Sequence, residues 1–144
     1  WHAVFRSTTH CGAGCTLGDT LGETLFFLLG IVLFGSTLLS DYIADFTLAY
    51  LLGVGFQYFA IVPMCGYPPL KGLWEAIKAD TLSLAAFEVG MFAGMAAMHW
   101  LPLPKLHPNE PVYWFFMQIA MLLGFATSFP MNWWLVKKGI KERM

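Results

Sequence analysis

The chain has 144 residues, of which 58% are hydrophobic and only 12% are charged. Soluble domains carry about 25% charged residues, and a small sphere cannot hide so much apolar surface from water. The composition therefore excludes a disordered tail, a nucleic-acid-binding module and most soluble enzymes, and the formal net charge of −1 gives no sign of an anionic partner. The sequence predicts a protein whose solvent is the lipid bilayer.

Four apolar stretches are long enough to cross the hydrocarbon core of a bilayer, which takes about 20 residues in a helix. The predicted spans are residues 21–39, 46–62, 81–100 and 112–136. Charged residues or prolines separate them, and Asp41 and Asp45 are assigned to the first loop, as solvated groups or as a weak cation-attracting mouth. We therefore predict an all-α integral membrane four-helix bundle that forms a single transmembrane domain.

The segment 70–80 lies between the second and third predicted spans. It sets the apolar Leu70, Leu73, Trp74 and Ile77 at helical spacing against the charged Lys71, Glu75 and Lys78. This pattern predicts a short amphipathic helix on the membrane surface, ahead of the third span.

The basic residues predict the orientation of the bundle. Seven of the eight Lys and Arg residues fall before the first span, between the second and third spans, or after the fourth, and only Lys105 falls elsewhere. Because short cytoplasmic loops carry an excess of Lys and Arg, both termini are predicted to face the cytoplasm.

The segment 10–23 (HCGAGCTLGDTLGE) repeats a pattern with a period of four residues. Helical residues four apart lie on one slowly drifting face. The chemically active residues at this spacing are Cys11, Cys15, Asp19 and Glu23. Gly14, Gly18 and Gly22 form a neighbouring stripe of small residues, which allows a second helix to approach closely.

The cysteines are predicted to be reduced, because disulfides are rare in the cytoplasm. Together with His10 beside them and Cys65 in the second loop, Cys11 and Cys15 are typical of part of a soft-metal site. Their spacing is not that of a complete structural zinc site. The alternative is that the cysteines only pack as small apolar residues.

Methionines concentrate in the third and fourth predicted spans. Met91, Met95, Met98 and His99 fall with Glu88 within an arc of about 100° on one helix. Met117 and Met121 lie on the next span, and such paired methionines are similar to the thioether rings of eukaryotic copper-uptake transporters. Thioethers select Cu(I), whereas the alternative is that these methionines fill gaps between helices.

Glu88 is predicted near the membrane centre, where an ionised side chain costs at least a few kcal/mol. It is interpreted as a proton carrier, a cation ligand, or a protonated acid bonded to Gln57 or Gln118. Asp19 and Glu23 are expected closer to the inner surface, where the cost of charge is smaller.

Three stretches carry a family resemblance. They are 10–19 (HCGAGCTLGD), 78–91 with its KADTLSL and FEVGM elements, and 111–144. They resemble a family of small bacterial four-span membrane proteins that is catalogued only as a domain of unknown function. The resemblance implies a membrane fold in a bacterial inner membrane and supplies no activity.

The residues thus predict a membrane protein that binds a soft cation, with Cu(I) preferred and Zn the borderline choice. The methionines and His99 would line the outer half of a path, Glu88 its middle, and Asp19 with the cysteines its cytoplasmic end. Conduction would need a homo-oligomer packed through the glycine stripes. The alternatives are an accessory or scaffold subunit of a larger membrane complex and a thiol-redox protein. No motif supports enzymatic turnover.

Overall fold

The computed structural model describes residues 2–32, 35–100 and 107–141, without the side chains of Ala3, Thr37, Leu38 and His99. The described residues form the helices α1 (His2–Leu29), α2 (Thr37–Cys65), α3 (Pro69–His99) and α4 (Pro111–Lys137). Helix α1 packs mainly on α2, and α3 packs mainly on α4. Further contacts of α1 with α3 and α4, and of α2 with α3, join the two pairs. The predicted all-α bundle is confirmed.

Three of the helices contain segments that are long and apolar enough to cross a membrane. These segments are Leu39–Cys65, Pro69–Met98 and Pro111–Lys137. They include the predicted second, third and fourth spans, apart from the last residues of the third. Helix α1 is of similar length, at 28 residues, but it carries the acidic and cysteine residues of the period-four segment.

The first predicted span, 21–39, does not form one helix. Helix α1 ends at Leu29 and α2 begins at Thr37. Gly30 and Gly35 adopt left-handed backbone conformations with φ of 62° and 74°, which end a right-handed helix. The Ser36 side chain then caps α2 by accepting a hydrogen bond from the Leu39 backbone N–H at 3.4 Å. A prediction from hydropathy alone does not detect the two left-handed glycines or the Ser36 cap.

The segment 70–80 is helical, as predicted, but it is not a separate interfacial helix. It forms the first third of α3, which runs without a break from Pro69 to His99. The turn before α3 provides the break instead, with Gly66 at φ 63° and Pro69 at the first helical position, where proline is tolerated. The prediction starts the third span at residue 81, twelve residues after the observed start of α3, because it treats charge as a sign of the membrane surface.

Glycines fix the close packing of both helix pairs. A Cβ on Gly14 would lie 2.6 Å from Gly53 Cα, and a Cβ on Gly18 would collide with the backbone of Ala49. In the other pair, a Cβ on Gly90 would lie 2.9 Å from Gly124 Cα. The predicted close approach at the glycine stripe is confirmed. However, the stripe packs inside one chain, so it gives no support to the predicted oligomer contact.

The two ends of the bundle differ in charge. Because neighbouring helices along the chain run antiparallel, the start of α1, the α2–α3 turn and the end of α4 meet at one end, which we call the lysine-rich end. It carries every Lys and Arg of the described residues: Arg6, Lys71, Lys78, Lys137, Lys138 and Lys141. The α1–α2 and α3–α4 connections meet at the opposite end, which we call the loop end.

We predict that Gly18→Ala destabilises the protein by about 1–3 kcal/mol, because the added methyl group forces α1 away from α2. The matched control is Gly55→Ala in α2, since a Cβ at Gly55 meets no atom within 4 Å. The control is expected to be neutral or slightly stabilising, because alanine is the better helix former. Thermal unfolding in detergent, followed by circular dichroism, compares the two variants. Equal melting temperatures would contradict the assigned packing.

Candidate functional site

A row of four buried carboxyl side chains runs through the bundle. Asp19 and Glu23 extend from α1, Asp45 from α2 and Glu88 from α3, and each is at most 4% exposed. We call these four residues the acidic row. The predicted common face of α1 is confirmed, because Cys11, Cys15, Asp19 and Glu23 are all buried.

The members of the acidic row are linked in space. Asp19 lies within electrostatic range of both Glu88 and Glu23. Asp45 lies within range of all three other members and of Asp41 toward the loop end. Twelve residues separate Cys11 from Glu23 on α1, a rise of about 18 Å, which is more than half of the roughly 30 Å hydrocarbon core of a bilayer.

Most oxygens of the acidic row have no hydrogen-bond partner among the described residues. These are both carboxyl oxygens of Asp19, both of Glu88, and Oδ1 of Asp45. Glu23 differs, because its carboxyl accepts a hydrogen bond from the hydroxyl of Tyr113 on α4. Buried polar atoms are almost always hydrogen-bonded, to protein or to water, so these carboxyl oxygens make the acidic row the candidate functional site.

A pair of buried thiols continues the row toward the lysine-rich end. Cys11 and Cys15 are 1% and 0% exposed, and their thiols are hydrogen-bonded to each other. Cys15 lies within electrostatic range of Glu88 on one side and of Asp80 on the other. The Ser83 hydroxyl donates to Cys11 Sγ at 3.2 Å. The thiols therefore connect the acidic row with a second polar group.

That second group is a buried ion pair with its hydrogen bonds, which we call the Asp80 network. Lys141 Nζ lies 3.6 Å from Asp80 Oδ1, with both side chains fully buried, and it donates to Asn132 Oδ1 at 2.8 Å. Asn132 Nδ2 in turn donates to the Ser83 hydroxyl at 2.6 Å and to the Ser128 carbonyl at 3.0 Å. The network ties α3, α4 and the segment after α4 together at the lysine-rich end.

Most of the predicted methionines lie in the core, which both predicted alternatives allow. Met91, Met117 and Met121 are buried in the same hydrophobic cluster as Cys11 and Cys15. Met95 packs against this cluster, and Met98 is half-buried. The predicted role of His99 concerns a side chain that lies outside the described residues.

Cys65 does not join the other cysteines. Gly14 packs on Gly53 and Gly18 on Ala49, and the same antiparallel register places Cys65 nine residues from the level of Cys11. Nine helical residues correspond to about 13 Å. His10 is half-buried beside the thiols. Across the part of the chain that the structure describes, no three His, Cys, Asp or Glu side chains form a group that could hold a metal ion.

The two predicted amide partners of Glu88 do not bond to it. Gln118 is exposed on α4, so that prediction is wrong. Gln57 is 1% exposed, but its amide nitrogen and oxygen have no hydrogen-bond partner among the described residues. Gln57 therefore adds a further buried, unpartnered polar group to the bundle.

Sequence reasoning missed several residues of the site. The sequence predicts Asp45 in a loop at the membrane surface, and this prediction is wrong, because Asp45 is 1% exposed and its carboxyl packs against Gly22. The spacing of Gly14, Gly18 and Gly22 could have indicated that α2 begins early enough to meet them. The sequence predicts Asp80 on the membrane surface and Lys141 in a basic terminal run. Their pairing could not be predicted, because no local pattern links residues that are 61 positions apart.

The fold and the site together define an all-α membrane protein with a line of ionisable side chains inside its bundle. The chain belongs to the family described as Domain of unknown function (DUF4396), whose match covers residues 1–141. No curated protein and no solved structure matches the chain. The predicted family is therefore confirmed, and any activity has to be inferred from the site itself.

We predict that Asn132→Leu destabilises the bundle by about 1.5–3 kcal/mol, because the buried Lys141 ammonium loses its hydrogen bond. Asn109→Leu is the control, since Asn109 is exposed in the loop before α4. Chemical denaturation in mixed micelles measures both free energies of unfolding. A loss no larger than that of the control would show that the Asp80 network contributes nothing.

Proposed function

We propose that this protein carries protons through the membrane along the acidic row. The observation that supports the proposal is the continuity of the buried carboxyls. Glu23 and Asp45 lie toward the loop end, Asp19 and Glu88 lie next to them, and the thiol pair follows. Chains of acidic side chains inside a membrane bundle are the usual means of proton relay.

The balance of charge supports the same proposal. Asp80 and the acidic row make five buried carboxyls, whereas Lys141 is the one buried Lys or Arg among the described residues. An ionised carboxylate without a partner in a medium of low polarity is very costly. Each member of the acidic row must therefore hold a proton or a bound cation, and the oxygens of Asp19 and Glu88, which have no hydrogen-bond partner among the described residues, are available for that purpose.

In the proposal, all four helices cross a bacterial inner membrane with the lysine-rich end in the cytoplasm, as the positive-inside rule requires. The face of α1 that bears the acids and thiols is buried, while its opposite face exposes the apolar side chains of Leu17, Leu21 and Leu25, so α1 does not contradict this arrangement. The row lies within one chain. Proton movement therefore does not need a homo-oligomer, although an oligomer remains compatible with it.

We predict that the purified protein acidifies potassium-loaded liposomes when valinomycin makes their interior negative. Asp19→Asn and Glu88→Gln keep the shape of each side chain but remove the carboxyl, so each is expected to lower proton flux about 100-fold. Internal pyranine fluorescence measures the flux.

The matched control for this experiment is Glu110→Gln, an identical change at the start of α4 outside the row. It should leave the flux at the wild-type value. Wild-type liposomes that acidify no faster than protein-free liposomes would contradict the proposal, and so would equal losses in all three variants.

A soft-metal function is the second candidate, and one observation favours it. The hydrogen-bonded thiols of Cys11 and Cys15 share a core cluster with the thioethers of Met91, Met117 and Met121. Thiolates and thioethers are the ligands that Cu(I) prefers. The site would take Cu(I) first, with Zn as the borderline alternative, and Cys65 would not take part.

For this candidate we predict that protein loaded with Cu(I) under reducing, oxygen-free conditions retains stoichiometric copper against a competing chelator. Cys11→Ser and Cys15→Ser should each abolish retention, because a hydroxyl is a poor ligand for a soft metal. Cys65→Ser is the control and should retain copper. Atomic absorption measures the bound metal, with Zn assayed in parallel, and retention that survives both core substitutions would exclude the site.

Two further predictions from the sequence stand as alternatives to these proposals. An accessory subunit would be unstable alone and would purify with a larger partner. A thiol-redox protein would change its thiol content with oxidant, but residues four apart on a continuous helix are poorly placed to form a disulfide with each other. Neither alternative accounts for the unpartnered carboxyls.

A further inference from the structure

The segment after α4 turns back and inserts a lysine into the bundle. Gly139 adopts a left-handed conformation with φ 70°, and the backbone N–H groups of Ile140 and Lys141 donate to the Leu135 carbonyl at 3.0 and 3.3 Å. We call residues 138–141 the hook. The αL glycine redirects the chain, so that Lys141 is 1% exposed while Lys138 at the start of the hook is exposed.

The Lys141 ammonium faces an amide oxygen of Asn132 and the carboxylate of Asp80, both of which can accept hydrogen bonds. Asn132 uses its amide N–H groups on the Ser83 hydroxyl and the Ser128 carbonyl. Its Oδ1 is therefore held in the direction of Lys141 Nζ, at 2.8 Å. Asp80 supplies the compensating negative charge, and its Oδ2 would lie 2.8 Å from a Cβ on Gly53, so α2 closes the far side.

The ion pair itself is loose. The distance of 3.6 Å between Lys141 Nζ and Asp80 Oδ1 exceeds the roughly 2.7–2.9 Å of a charge-assisted hydrogen bond. Neither carboxyl oxygen of Asp80 has a hydrogen-bond partner among the described residues. The ammonium is thus held by charge and by one amide oxygen, while the carboxylate retains its capacity to accept hydrogen bonds.

We propose that Asp80 and Asn132 form a binding site for a primary ammonium cation, with Ser83 holding the Asn132 amide in place and Lys141 as the tethered and exchangeable occupant. One amide oxygen and one carboxylate match the charge and the N–H donors of such a cation. The hook is held to α4 by backbone hydrogen bonds at its base, so its departure would open the site to solution at the lysine-rich end. The site does not depend on proton movement along the acidic row.

Chemical rescue tests the site. Lys141→Ala deletes three carbons and the ammonium group, which together equal propylammonium. We expect this variant to lose several degrees of melting temperature, and millimolar propylammonium to restore most of the loss. Tetramethylammonium, which has the charge but no N–H group, should restore none. Lys138→Ala in the exposed part of the hook should neither lose stability nor respond to propylammonium.

A second measurement covers the case in which Lys141→Ala does not fold. Asp80→Asn keeps the side-chain shape and removes the charge that holds the ammonium. We expect the hook to leave the bundle more often, so that a water-soluble maleimide modifies Cys11 at least several-fold faster than in the wild type. Cys11 reports this opening because its thiol accepts the hydrogen bond of Ser83.

The possible results separate this site from the proposed proton path. Rescue of Lys141→Ala by tetramethylammonium as well as by propylammonium would overturn the site, because it would show a general salt effect. Unchanged Cys11 labelling in Asp80→Asn would also overturn it. If propylammonium does not rescue Lys141→Ala while the wild type still conducts protons, only the ammonium site is contradicted. If propylammonium rescues Lys141→Ala while the wild type conducts no protons, only the proton path is contradicted.

Discussion

The close backbone contact between α1 and α2 is the constraint on which the rest of the structure depends. Gly14 and Gly18 allow α1 to lie against Gly53 and Ala49 with almost no side chain between them. This contact lets α3 and α4 cover the rest of the polar face of α1, whereas its opposite face stays exposed. The face that bears Cys11, Cys15, Asp19 and Glu23 is therefore enclosed by protein rather than exposed to lipid, which could not solvate it.

The helices differ in how apolar their sequences are. Helices α2, α3 and α4 each contain a segment that could cross a bilayer by its composition. Helix α1 is less apolar because its period-four sites carry acids and thiols, but its opposite face exposes Leu17, Leu21 and Leu25. Such a helix is stable in lipid only when its neighbours cover its polar face. The same packing that hides its carboxyls also brings them to Glu88 and Asp45, so burial and continuity of the row have a single cause.

The parts of the structure that follow from local pattern could be predicted from the sequence, and the parts that need partners could not. Helical spacing was sufficient to place Cys11 and Glu23 on one face, and the glycine spacing was sufficient to predict a close helix contact. The prediction of one spanning helix over residues 21–39 from hydropathy was wrong, because a left-handed glycine ends a helix without making the segment less apolar. The pairing of Asp80 with Lys141 could not be predicted, because the two residues lie far apart in the chain. Counting the charged residues of each loop assigns both to the membrane surface.

The position of the one buried ammonium makes the interior of the bundle electrostatically asymmetric. Toward the loop end, Glu23, Asp41 and Asp45 lie within range of one another, and a cation entering there meets several acceptors and no fixed positive charge among the described side chains. At the lysine-rich end the last buried carboxyl among the described residues, that of Asp80, is already paired with Lys141. If the proposed path carries a cation to the thiols, that cation meets a tethered competitor for the final buried acceptor. In that proposal, exit at this end depends on the hook, whereas entry at the loop end depends only on the charge of the carboxyls.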